Sequence, residues 1–132
     1  MALRVELAVR LMKTKDVASL VRLRIRLAPS VDLGPGKAEL LEGILETGSI
    51  SAAGRRMRMS YKRAWQLVDE LNGLFDAPLV AASTGGSGGG GASLTRRGRD
   101  VLARYRRMHA ACVAAIAGDV KFLYEHRSSS AD

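Results

Sequence analysis

The feature that most constrains the fold is a glycine-dense segment late in the chain. Residues 85–91 are glycine except Ser87. Because ordered glycine loses more backbone entropy than any other residue, neither a helix nor a long regular strand is expected there. Short apolar stretches lie on either side, at residues 79–82 and 92–94. Two short strands joined by a glycine-rich tip predict a β-hairpin over residues 79–94.

Two short helices are predicted just before this hairpin. Ser49 and Ser60 each stand at an N-cap position, followed by apolar residues at helical spacing. The first helix is expected over about 50–57 and the second from Ser60 to about Phe75. The inward stripe of the second helix is predicted to consist of Ala64, Leu67, Val68, Leu71 and Phe75. Two helices with a short turn between them, followed by a hairpin, indicate a winged helix-turn-helix.

The remaining elements complete the predicted architecture. Residues 20–27 alternate apolar and arginine side chains, which is typical of a half-buried strand, and a helix is expected between Gly34 and Gly48. Thr95 is predicted to cap a long C-terminal helix. The fold class is therefore mainly α with a small β-hairpin wing. The chain is expected to consist of an N-terminal arm over 1–19, a winged helix-turn-helix domain over 20–126 and a frayed tail over 127–132. Within the domain, we expect the helix-turn-helix at 49–75, the wing at 79–94 and the dimerisation helix at 95–126.

Composition limits the classes of protein to which the chain can belong. The chain has 132 residues, with 47% hydrophobic residues, which excludes a mostly disordered protein. Charged residues interrupt every apolar run, so no spanning helix or signal peptide is expected, and we expect a cytoplasmic protein without membrane insertion. The single cysteine, Cys112, excludes a disulfide framework and a cysteine-rich zinc site.

The charge of the chain favours an anionic partner. Lys and Arg number 21 against 13 Asp and Glu, which gives a formal net charge of +8. Residues 47–68 contain five basic residues and no acidic one, whereas 32–46 contain four acidic residues against Lys37. This separation predicts one phosphate-facing side, and nucleic acid is favoured over an anionic membrane surface. The alternative interpretation is that these are ordinary solvated helix faces.

Residues 34–105 resemble the DNA-binding domain of molybdate-responsive transcription regulators of the ModE type. Three motifs carry the resemblance: Glu-Thr-Gly-Ser-Ile-Ser-Ala-Ala at 46–53, Met-Ser-Tyr-Lys-Arg-Ala-Trp at 59–65, and the glycine-rich wing at 84–92 followed by Leu94-Thr95. The Gly-Ser-Ile-Ser start is shared with LysR-type regulators. The resemblance implies DNA binding and dimerisation. In that family molybdate binds a separate C-terminal part, so molybdate is not expected to bind this chain, and no cofactor is expected.

A recognition helix presents its N-terminal residues to base edges in the major groove. Lys62 or Arg63 could pair with guanine and Gln66 with adenine, while hydroxyl groups and glycine N–H groups suit phosphate. The predicted DNA contacts are Ser49, Ser51, Arg55, Arg56, Ser60, Tyr61, Lys62, Arg63, Gln66, Gly86, Gly88, Gly89 and Arg96.

Other interpretations of these residues stay open. Ser60 is also a plain helix cap, and Arg55 and Arg56 also suit the C-terminal end of a helix dipole. For Trp65, packing within the domain is favoured over contact with DNA. A solvated face accounts equally well for Arg96. The glycine segment lacks the Gly-Lys-Ser/Thr of a P-loop and is favoured as a wing over an inter-domain linker.

The favoured function is a sequence-specific, double-stranded DNA-binding transcriptional regulator that acts as a homodimer through the helix 95–126. The alternatives are an interaction module that modulates a full-length relative and a non-specific DNA-binding protein. No catalytic constellation is recognisable, so an enzyme is not expected. His109 and Cys112 lie three residues apart without a third nearby ligand, so no metal site is expected.

Overall fold

The computed structural model describes residue 4, residues 13–83 and residues 91–128. Its elements follow one another along the chain in an order close to the predicted one. They are α1 (Thr14–Ala18), β1 (Ile25–Ala28), β2 (Val31–Leu33), α2 (Pro35–Thr47), α3 (Ile50–Arg56), α4 (Tyr61–Leu74), β3 (Val80–Ser83), β4 (Gly91–Leu94) and α5 (Arg96–Glu125).

Helices α2, α3 and α4 form the centre of the domain. Pro35 starts α2, and Gly48 ends it in the left-handed conformation, with φ of 71°. The apolar residues Leu40, Leu41 and Ile44 of α2 are fully buried. The helices approach closely at glycine: a Cβ added to Gly43 would lie 2.9 Å from the Cβ of Ala53. These contacts hold the helix-turn-helix, formed by α3 and α4, against α2.

Strands β3 and β4 form the wing, which is antiparallel with Val80 opposite Leu94 and Ser83 opposite Gly91. The N–H of Ala92 donates to the carbonyl of Gly48 at 2.8 Å, so the wing is joined to the end of α2. At the start of α5, Thr95 donates to the carbonyl of Pro78 and accepts from the N–H of Gly98. The predicted cap at Thr95 is therefore present.

The winged helix-turn-helix predicted from the sequence is confirmed, including the helix bounded by Gly34 and Gly48. The predicted strand over 20–27 is shorter than expected, since regular pairing begins at Ile25. Pro29 and Ser30 form the turn of a second hairpin, in which β1 pairs with β2, and this pairing was not predicted. Proline at a turn ends one strand without excluding a return strand.

The described residues divide into two compact units. One consists of residues 24–106 and contains the helix-turn-helix and the wing; the other consists of 1–23 and 107–132. In the second unit Val17 and Val113 are buried, and Nε2 of His109 is hydrogen-bonded to the carbonyl oxygen of Val21 at 2.8 Å. Most of the predicted arm, apart from Arg4 and 13–19, lies outside the described residues, as do tail residues 129–132.

Among the helices that the structure describes, none is long and apolar enough to cross a membrane. Within the same ranges, no group of three or more His, Cys, Asp or Glu side chains is placed to hold a metal ion.

Candidate nucleic-acid interface

The N-terminal turn of α4 is capped, exposed and cationic. The Ser60 hydroxyl accepts a hydrogen bond from the N–H of Arg63 at 3.0 Å, which starts the helix as predicted. Tyr61 is 61% exposed. The side chains of Lys62, Arg63 and Gln66 are exposed as well, while Ala64 and Leu67 turn inward. The apolar side of α4 therefore holds it to the domain, and its polar side is presented to solvent.

Helix α3 is capped in the same way. Ser49 accepts from the N–H of Ala52 at 3.0 Å, and the N–H of Ser49 donates to the Thr47 hydroxyl at 3.2 Å. One turn on, Arg55 donates to the hydroxyl of Ser51 at 3.0 Å. This bond holds the Arg55 guanidinium along the exposed side of α3.

The turn between α3 and α4 contains a constrained residue. Arg58 has φ of 56°, in the left-handed region, and among the described residues no other non-glycine residue has a positive φ. The N–H of Met59 donates to the carbonyl of Gly54 at 3.0 Å. A Cβ added to Gly54 would lie 3.0 Å from the Cβ of Ala64, so α3 and α4 are in close contact behind this turn.

A cleft separates the start of the helix-turn-helix from the wing. It has a volume of about 250 Å³ and brings together hydroxyl-bearing, aromatic and backbone groups from four elements. Its lining includes Ser49, Ser51, Tyr61, Trp65, Ser83 and Gly91. Three of the predicted contact residues, Ser49, Ser51 and Tyr61, therefore share one surface with the wing strands.

The aromatic side of this cleft is ordered by one ring contact. Tyr61 and Trp65 are edge to face, with centroids 6.1 Å apart and an interplanar angle of 73°. The indole N–H of Trp65 is buried and finds no hydrogen-bond acceptor among the described residues. A buried N–H without an acceptor is costly in free energy.

The cations of the helix-turn-helix differ in their partners. Arg56 is paired with Glu46 of α2 at 2.7 Å. Arg55, Arg58, Lys62 and Arg63 have no carboxylate partner among the residues that the structure describes. A cation without a carboxylate partner can bind a phosphate without first breaking an ion pair. These four side chains are therefore better placed than Arg56 for a phosphate contact.

The remaining predicted contacts are less closely associated with this surface. Gly86, Gly88 and Gly89 lie outside the described residues. Arg96 follows β4 at the end of the wing away from Gly91, and lines a separate depression with Ala77 and Pro78. The structure thus brings Ser49, Ser51 and Tyr61 together beside the wing strands, and Arg96 lies in a separate depression.

Sequence reasoning missed one residue that positions this surface. Asn72, near the end of α4, accepts hydrogen bonds from the N–H groups of Leu79 at 2.9 Å and Val80 at 3.0 Å. A polar residue on the wing-facing side of a helix, a few residues before Pro78, was the available signal. Asn72 therefore joins α4 to the start of the wing.

Two comparisons with known proteins concern this region. The sequence profile of the family described as bacterial regulatory helix-turn-helix proteins, lysR family, matches residues 37–99. The chain is 42% identical over 91 residues to the molybdenum-pterin-binding protein MopB of Rhodobacter capsulatus, covering 69% of this chain and 34% of that protein.

Two further relatives match a similar length. The DNA-binding transcriptional dual regulator ModE of Escherichia coli K12 is 39% identical over 85 residues, which is 64% of this chain and 32% of that protein. The molybdenum transport protein ModE of Azotobacter vinelandii is 38% identical over 91 residues, with 66% of this chain and 34% of that protein covered. The chain spans about a third of the length of the curated relatives it matches.

Proposed function

We propose that the chain, whose residues 37–99 match the profile of the LysR family of bacterial regulatory helix-turn-helix proteins, is a ModE-like, sequence-specific regulator that binds double-stranded DNA as a homodimer. The observation that carries the proposal is the N-terminal turn of α4. Lys62, Arg63 and Gln66 are exposed there on a capped helix. The charged side chains of Lys62 and Arg63 form no ion pair with the described residues.

The chemistry of these side chains suits direct recognition of bases. A lysine or arginine donates to O6 and N7 of guanine, and a glutamine pairs with N6 and N7 of adenine. The hydroxyl groups of Ser49, Ser51 and Tyr61, together with Arg55, supply phosphate contacts that fix the orientation of the helix on the duplex.

Helix α5 supports the dimer. It has 30 residues, and the large apolar side chains Met108, Phe122 and Leu123 are exposed on it by 39%, 59% and 64%. Large apolar side chains that are exposed on a long helix suit a second copy of the same helix. In the dimer the two α4 helices would enter successive major grooves about 34–36 Å apart.

Molybdate enters the proposal only indirectly. The names of the relatives connect them with molybdenum-pterin binding, molybdenum transport or transcription. We assign the matched residues to DNA binding and assign no molybdate site to this chain. From the similarity to these relatives, we expect the regulated genes to be linked to molybdenum use. The genomic fragments that the protein selects test this expectation.

The test is selection from a genomic fragment pool at about 150 mM salt, where non-specific binding is weakened. The wild type is compared with a Lys62→Ala/Arg63→Ala variant and with a Lys121→Ala/Arg127→Ala variant. Both variants lose two positive charges, but the second loses them near the end of α5. We expect the wild type and the second variant to enrich the same fragments with a shared inverted repeat, and the first variant to lose that enrichment.

Two results would contradict the proposal. Equal binding of all fragments by the wild type would indicate a non-specific DNA-binding protein. If the wild type sediments as a monomer and binds no fragment, the result would indicate an interaction module. For the dimer itself, Phe122→Asp/Leu123→Asp should shift the sedimenting species from dimer to monomer, because a charge would be buried at the interface.

A further inference from the structure

The hairpin formed by β1 and β2 precedes the residues matched by the family and carries basic side chains. Arg26 lies opposite Asp32 in the hairpin and bonds to it, with Nε 2.9 Å from Oδ1. Arg24 is exposed just before β1. Its side-chain stem lies over Gly34, where an added Cβ would be 3.1 Å from Cγ of Arg24. The side-chain stem of Arg24 therefore packs against Gly34, the N-cap residue of α2.

A single lysine connects this hairpin to the recognition helix. Nζ of Lys37 donates to the carbonyl of Asp32 at 2.7 Å and lies 3.4 Å from Oε2 of Glu70 on α4. Its side chain is only 14% exposed, so both contacts are made in a partly desolvated position. The hairpin is thus held beside α4, as the wing is held beside α4 by Asn72.

The two attachments lie on opposite flanks of α4. Glu70, which meets Lys37, and Asn72, which meets the wing, are two residues apart and so point about 160° from each other around the helix. Lys62 lies about 80° from each of them on one side. The fully buried Leu71 lies about 100° from each on the other side. The exposed stripe that begins at Lys62 is therefore flanked by the wing on one side and the hairpin on the other.

A helix in the major groove has a phosphate backbone along each flank. The groove is about 12 Å wide and a helix with its side chains about 10–12 Å across, so elements held beside the helix meet the two backbones. Asp32 and Glu70 are neutralised by Arg26 and Lys37. Arg24 is then the hairpin cation without an ion-pair partner in the described part of the chain.

We propose that the β1–β2 hairpin acts as a second wing, in which Arg24 contacts the phosphate backbone on the side of the groove opposite the glycine-rich wing. This inference rests on the proposed function, since it takes α4 to lie in the groove. The proposed phosphate contact is made by Arg24, which precedes the residues 37–99 that match the family profile.

The first measurement is the salt dependence of binding to a selected duplex for wild type, Arg24→Gln and Lys121→Gln. Glutamine keeps the Cβ and Cγ methylene groups beside Gly34 while the charge is removed. Each lost phosphate contact lowers the slope of log K against log salt by about 0.9, so Arg24→Gln should lower it by about 1.8 in a dimer. Lys121→Gln removes the same charge and should leave the slope within error of the wild type. Equal slopes for all three proteins would overturn the inference.

The second measurement locates the contact. In a Cys112→Ser background, Arg24→Cys and Ser83→Cys variants each carry an iron chelate that cleaves nearby DNA. The two variants should cleave on opposite sides of the groove that α4 occupies. Cleavage on the same side, or none from position 24 while position 83 cleaves, would overturn the inference and leave the proposed function intact. A slope change at Arg24 with no sequence preference in the wild type would contradict the proposed function instead.

Discussion

Asn72 and Val80 form a reciprocal hydrogen-bonded pair that joins the recognition helix to the wing. The side-chain oxygen of Asn72 accepts from the N–H of Val80 at 3.0 Å, and its Nδ2 donates to the carbonyl of Val80 at 3.2 Å. The same oxygen also accepts from the N–H of Leu79. One amide thereby satisfies backbone groups at the start of β3, and the wing cannot move relative to α4 without breaking these bonds.

Asn72→Ala should therefore weaken both folding and DNA binding. Leaving these part-buried backbone groups unpaired should lower the free energy of unfolding by about 2 kcal/mol. Urea unfolding measures the stability, and titration with a selected duplex measures the affinity. Gln66→Ala is the matched control on the same helix, since it should lower affinity and change stability by less than about 0.5 kcal/mol. Unchanged stability in Asn72→Ala would contradict the role of this pair.

The start of α5 should not accept a side chain at Gly98. A Cβ there would lie 2.1 Å from the carbonyl oxygen of Leu79, which is backbone and cannot rotate away. Gly98→Ala should cost about 3 kcal/mol, because the backbone at Leu79 must shift. Gly36→Ala is the control, since nothing lies within 4 Å of its added Cβ, and it should raise stability by about 0.5 kcal/mol. Equal thermal midpoints for the two variants would show that the close approach is absent.

Arg58 should be replaceable by glycine with a gain in stability. Its φ of 56° costs an ordinary residue about 1–2 kcal/mol, and glycine adopts this conformation readily. We expect Arg58→Gly to raise the free energy of unfolding by about 1 kcal/mol. Arg58→Ala removes the same side chain without relieving the backbone, and should give no gain. DNA affinity should fall equally in both variants if Arg58 meets a phosphate, because both lose the same charge.

The ion pair between Glu42 of α2 and Arg106 of α5 should make a pH-dependent contribution. Nε of Arg106 donates to Oε2 of Glu42 at 3.0 Å, and its Nη2 pairs with Oε1. Hydrogen bonding from Arg106 lowers the pKa of Glu42. Because the folded pKa is the lower one, the stabilisation is complete above the unfolded pKa of about 4.3 and is lost as pH falls through the folded value.

The corresponding variant is Glu42→Gln. Both side chains are more than a third exposed, so the loss at pH 7 should be below about 1 kcal/mol. Urea unfolding at pH 7 and at about pH 3 measures it, and the difference between wild type and variant should shrink at the acidic pH. A difference that is the same at both values would show that the carboxylate charge does not contribute.

The sequence predicted the helices of the domain well because their ends carry local signals. Ser49 and Ser60 cap α3 and α4 through bonds to residues three positions on, and Gly48 ends α2 in a left-handed conformation. Such signals depend on nearby residues alone. The exposure of Lys62, Arg63 and Gln66 also follows from the apolar stripe of the same helix.

What the sequence did not show depends on contacts between distant residues. The pairing of β1 with β2 was not predicted, since a proline after a strand does not show whether a return strand follows. The Asn72 bonds to Leu79 and Val80, and the Lys37 contact with Glu70, join residues that no periodicity relates. The assignment of bases to Lys62, Arg63 and Gln66 stays a prediction, because it depends on a duplex.

The most direct test of the account is the affinity of wild type, Lys62→Ala and Arg55→Ala for a selected duplex and for every single base-pair substitution in it. We predict that Lys62→Ala loses discrimination at one base pair in each half-site, worth about 1–3 kcal/mol, and keeps it elsewhere. Arg55→Ala should weaken binding to all duplexes by the same factor, since a phosphate contact carries no sequence information. A uniform loss for Lys62→Ala at every position would contradict the claim that α4 reads the sequence.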